Sequence, residues 1–161
     1  MGLDNIPADY ACVRAGTEVL RAGTDIIDCT ATAAIGGCPW LLKVASEKPG
    51  NPVTGMLGAP CWYRGKVGVR QLALLNDAGY VLPTWLEGGF YGDIDATPAL
   101  SVEHCIQLAD WLANHAEAFA ASAAVCVSDA QDVRDEIETY QYAVWWLRFV
   151  AAECNGANSW Y

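Results

Sequence analysis

Apolar residues in the last third of the chain recur with a helical beat. Val133, Ile137, Tyr140, Val144, Leu147, Ala151 and Cys154 follow one another at spacings of four and three. That period keeps them on one face of a helix and predicts a buried stripe. Ser128, with Gln131 three residues on, matches a capping box at its start. Gly156 fits the left-handed stop at its end. Upstream, Cys105, Leu108, Leu112, Ala116 and Phe119 keep the same period and predict another long helix. Ser101 would cap it, with Glu103 in its first turn complementing the helix dipole. The two helices, within 101–156, should form an antiparallel pair, followed by a short tail at 157–161.

The first hundred residues have a different texture. They hold nearly all the glycines and all seven prolines, so regular elements there should be short. Pro39 predicts a helix start, because its missing N–H would be unpaired there anyway. That helix should end near Glu47, before Pro49 and Gly50. A second short helix is expected from Val67 to Asn76, with Gly79 beyond its end. Thr17–Leu20 and Asp25–Cys29 flank Arg21-Ala22-Gly23-Thr24 and suggest a small hairpin. Tyr80–Asp95 reads as extended or loop structure. The expected architecture is a single helix-rich α+β domain over 1–161. Its loop-rich half, with short strands, packs on the helix pair.

Composition supports a packed core. Hydrophobic residues make up 53% of the 161 residues and charged residues 17%, which argues against disorder. No run of about 18 uninterrupted apolar residues suggests a membrane span. The N-terminal segment lacks the basic and apolar regions of a secretion signal, so cytoplasmic residence is expected. Charge is strongly divided. Residues 1–70 carry seven Lys/Arg and six Asp/Glu, whereas residues 71–161 carry two and thirteen. The acidic half should repel nucleic acid, and a small anionic ligand would prefer the other half.

Candidate chemistry concentrates in that near-neutral half. Cys12, Cys29, Cys38 and Cys61 could supply four thiolates to a structural zinc ion. No pair has the short spacing of a zinc knuckle, so thiols packed in the core are the alternative. Cys38, at a helix start, could have its thiolate favoured and act as a nucleophile. A base is needed, however. His104 and His115 are placed on one helix, roughly 16 Å apart from the helical rise, too far to share a metal. Packing or capping is the plainer role for Cys38.

The segment Trp62-Tyr63-Arg64-Gly65-Lys66, with Arg70 a turn later, joins aromatic faces to cations. Such residues can stack on a planar ring and pair with phosphate. A core tryptophan beside a solvated basic edge is the alternative. Asp93 and Asp95 could hold a hard cation, although two acids without a third usually form a turn. Asp129, Asp132, Asp135, Glu136 and Glu138 form a wet helix face, one rarer use of which is mimicry of a nucleic-acid backbone.

Taken in order, Gly2-Leu3-Asp4-Asn5-Ile6-Pro7, Ile27-Asp28-Cys29, Gly36-Gly37-Cys38-Pro39-Trp40, Cys61-Trp62-Tyr63-Arg64-Gly65-Lys66 and the closing Trp-Tyr resemble a group of small phage, prophage and microbial proteins. The resemblance implies a shared fold and cysteine cluster, and it transfers no catalytic residue. A phage setting would imply interference with host immunity, where small proteins capture or degrade nucleotide signals. The leading expectation is a non-enzymatic binder of a small anionic, nucleotide-like ligand, using Trp62, Tyr63, Arg64, Lys66 and Arg70. An enzyme degrading such a signal and an acidic protein-interaction module are the alternatives. No membrane partner is expected, nucleic acid is disfavoured and a homo-oligomer stays open.

Overall fold

The structure, a computed structural model, describes residues 2–10, 39–56 and 60–160. The expected hairpin at 17–29 lies outside these. Among the described residues are five α-helices, two short 3₁₀ turns and one two-stranded sheet. Strand β1 is Asp4–Pro7. Helix α1 is Pro39–Glu47 and α2 is Gly65–Asp77. The 3₁₀ turns are Thr84–Leu86 and Gly89–Tyr91. Then come α3 (Val102–Asn114), α4 (Ala116–Cys126), α5 (Ala130–Glu153) and β2 (Ala157–Trp160). The architecture is helix-rich α+β, as the sequence suggests.

Helix α5 is the axis. It packs chiefly against α3 and α4, and its burial is wider than the apolar stripe predicts. Tyr140, Leu147 and Cys154 are buried as expected, but Val133, Ile137, Val144 and Ala151 are only half-buried. Tyr142, Ala143, Trp146, Phe149 and Val150 are buried as well. The reason is a second neighbour on the other flank. The Trp146 indole donates to the Cys61 carbonyl at 2.8 Å and the Trp40 indole to the Tyr142 hydroxyl at 3.3 Å. Each large ring is thus buried with its polar atom satisfied. Helix α1 is further clipped to α5 by Lys43–Glu153 at 2.8 Å and by the Trp145 indole donating to Glu47.

Three expected boundaries move. The single long helix after Ser101 breaks at His115, which ends α3 and precedes α4. The His115 imidazole Nδ1 lies 2.7 Å from the Trp111 carbonyl, and its ring stacks on Trp111 at 4.2 Å. A side chain there takes a carbonyl that the next turn would otherwise use. The two histidines therefore lie on α3 and at a helix junction, and not along one continuous helix. Asp129, not Ser128, caps α5, its Oδ1 accepting from the N–H groups of Gln131 and Asp132 at 2.7 and 3.3 Å. The third is the C-terminal tail, which is a strand. It runs antiparallel to β1, pairing Asp4 with Trp160 and Pro7 with Ala157. Left-handed Asn155 and Gly156 (φ 54° and 97°) turn the chain back after α5. A Cβ on Gly156 would stand 2.2 Å from the Leu100 carbonyl oxygen, so only glycine fits this turn.

Candidate functional site

The segment expected to bind a ligand begins beside β1. Asn5 and Tyr63 exchange backbone hydrogen bonds of 2.8 and 2.9 Å, which adds one bridge to the free edge of β1. This fixes the faces of the following residues. Tyr63 is fully buried. Its ring stacks at 5.3 Å on both Phe90 and Trp146. Burial pushes its hydroxyl far above the ordinary phenol range. Trp62 is 5% exposed and gives its indole N–H to the Tyr10 hydroxyl at 2.8 Å. Neither ring offers a face to solvent.

The cations are engaged in the same way. Arg64 reaches back to Asp4, Nη1 to Oδ1, at 2.8 Å. Asp4 is wholly buried, and its other oxygen accepts from the Met56 N–H at 2.7 Å. Arg70 pairs with Glu136 of α5. Lys66 alone of the group is exposed with no ion pair among the described residues. The segment is therefore placed in packing and ion pairs and not on an open face. Trp62 and Tyr63 belong to the core, and both guanidiniums are held by carboxylates. Gly68 serves the same packing, because a Cβ there would lie 2.5 Å from the Phe90 ring.

Cys12, Cys29 and Cys38 lie outside the described residues, and with them the four-cysteine zinc site and the Cys38 nucleophile. Cys61 is buried. Among the described residues no three His, Cys, Asp or Glu side chains gather to hold a metal ion. Cys105 is buried, and that burial pushes its thiol up to about 12. Cys126, by contrast, is exposed. Asp93 and Asp95 form a turn in which the Asp95 N–H donates to Asp93 Oδ1 at 3.0 Å. His104 Nε2 lies 2.9 Å from the Gly89 carbonyl and ties α3 to the 89–91 turn. Neither histidine has a described thiol or carboxylate hydrogen-bonded to it.

What remains accessible is the acidic half. Residues 71–133 contain no lysine or arginine at all. Of the thirteen carboxylates from residue 71 onward, only Asp110, Glu136 and Glu153 have ion-pair partners among the described residues. Asp129, Asp132 and Glu138 stand exposed at the N-terminal part of α5, and the Asp135 carboxylate accepts from the Gln131 side chain at 2.8 Å. A groove of about 260 Å³ runs between α2 and α4, lined by Leu74, Asp77, Ala78, Ser122, Val125 and Cys126. Local periodicity cannot reveal this groove, because it joins residues some fifty positions apart.

Among the described residues no helix is long and apolar enough to cross a membrane. No family model, curated protein or solved structure matches the chain.

Proposed function

We propose that this chain is a non-enzymatic interaction module that binds a cationic protein surface through its acidic helical half. The observation that carries the reading is the cation-free stretch 71–133, which runs into the exposed carboxylates of α5. A surplus of like charge, most of it outside ion pairs among the described residues, attracts a basic partner and repels nucleic acid and anionic lipid. The surfaces that pair best with such a field belong to proteins that bind nucleic acid. In the phage setting implied by the resemblance, the module would occupy the nucleic-acid site of a host factor.

Capture of a nucleotide-like ligand at Arg64 or Arg70 is the weaker reading. The ligand would have to displace Asp4 or Glu136 first, and Trp62 and Tyr63 could not stack on it without leaving the core.

The test is displacement of a labelled DNA duplex from a panel of basic DNA-binding domains, read by anisotropy. At least one domain should release its duplex to the wild-type chain and release less to the Asp132→Lys/Glu138→Lys variant. Full retention of duplex across the panel, or release unaffected by the reversal, would falsify the proposal.

A further inference from the structure

We propose that the α2–α4 groove is a docking site for an apolar side chain carried on a cationic amphipathic helix of a partner protein. The inference rests on the interaction-module reading and adds what anchors the partner.

Charge alone gives diffuse attraction, since exposed pairs contribute little each. The groove supplies what charge lacks. Leu74, Ala78, Val125 and Cys126 give it apolar walls. The Ser122 hydroxyl donates to the Ala118 carbonyl of its own helix at 3.0 Å and is thereby satisfied within α4. Val125 is 86% exposed, the highest value of any large hydrophobic residue described. At about 260 Å³ the groove falls below the roughly 300–1,000 Å³ of small-molecule sites. That is room enough for one or two side chains.

The rim states the partner's charge. Asp77 lines the groove itself. Asp129 and Asp132 follow three and six residues after Cys126, at the positive end of α5. No lysine or arginine lies within 71–133, and the guanidinium of Arg134, the next cation along the chain, is bonded to the Gln131 side chain. An anionic strand or an anionic membrane is disfavoured here, whereas a helix with lysine or arginine beside a leucine-type anchor is complementary. Helix-in-groove recognition uses this combination.

Two labelled peptides of equal positive charge separate anchor from charge: an amphipathic leucine–lysine helix, and a lysine–serine peptide with no apolar face. The wild-type chain should bind the leucine-bearing peptide about ten-fold more tightly, the scale expected for one buried aliphatic side chain. Val125→Ser should shrink that preference, and Ala78→Trp, which fills the groove from an exposed position, should abolish it. Both variants should keep their affinity for the lysine–serine peptide. Equal affinity of the wild type for the two peptides, or a preference unchanged in both variants, overturns the docking site and leaves the charge-based module standing. Binding of neither peptide overturns both.

Discussion

Arg64 illustrates how one residue type changes meaning with its neighbour. Beside Trp62 and Tyr63 in sequence it looks like a phosphate contact. In the fold it faces Asp4, which is wholly buried and has no other cation bonded to it among the described residues. Removing one member of such a pair strands the other, at a cost of about 3 kcal/mol. Arg64→Ala should therefore lower the urea midpoint substantially, while Lys66→Ala should leave it nearly unchanged. Equal small effects would contradict the assigned roles. Buried phenols make a second prediction at this scale. Burial holds Tyr63, Tyr140 and Tyr142 in the neutral form above the ordinary range. In the unfolded chain they ionise near pH 10. Their folded-state values are raised, so their contribution is fully present below about pH 10 and is lost as pH rises beyond it, by roughly 1.4 kcal/mol per unit for each tyrosine. Tyrosinate absorbance from these three should appear together with loss of helical circular dichroism. Their ionisation near pH 10 in a chain that stays folded would contradict their burial.

At the scale of elements, local signals proved the most legible. Pro39 opens α1, Gly79 lies beyond the end of α2, and Ser101 caps α3 through the His104 N–H. Each is settled within a turn of chain, where sequence and structure share the same physics. The misses involve choices made by distant or competing partners. Two cap residues stand side by side before α5, and the carboxylate of Asp129 accepts both N–H groups. Asp129→Ala should cost about 1 kcal/mol and Ser128→Ala far less, by thermal or urea denaturation; the reverse order would restore the capping box read from sequence. The break at His115 depends on its ring bonding to the Trp111 carbonyl. The terminal strand depends on β1, more than 150 residues away, where Asn5 Nδ2 also donates to the Ser159 hydroxyl at 3.2 Å. Periodicity within α5 could not show that Trp40 and Cys61 would cover its second flank.

For the whole molecule, the division of charge was plain in the sequence and its use was not. The near-neutral half looked like a ligand site because it holds the cations, yet most of those described are engaged by carboxylates. Arg64 and Arg70 bind Asp4 and Glu136, and Lys43 binds Glu153. Among the described residues the acidic half keeps most of its carboxylates out of ion pairs, and one of them, Asp77, lines the groove. Thiol accessibility gives an independent check on this layout. Cys61, Cys105 and Cys154 are buried and Cys126 is exposed in the groove. Under native conditions Cys126 should react with a maleimide while those three are modified only on unfolding, as peptide mapping would record. Native labelling of Cys105 would contradict the packing. The most direct measurement of the central claim is a chemical-shift map of the isotope-labelled chain titrated with the leucine–lysine peptide. Shifts should gather on Leu74–Ala78, Ser122–Cys126 and Asp129–Glu138 and leave Trp62–Lys66 unmoved. Shifts centred on Trp62–Lys66 would contradict the account.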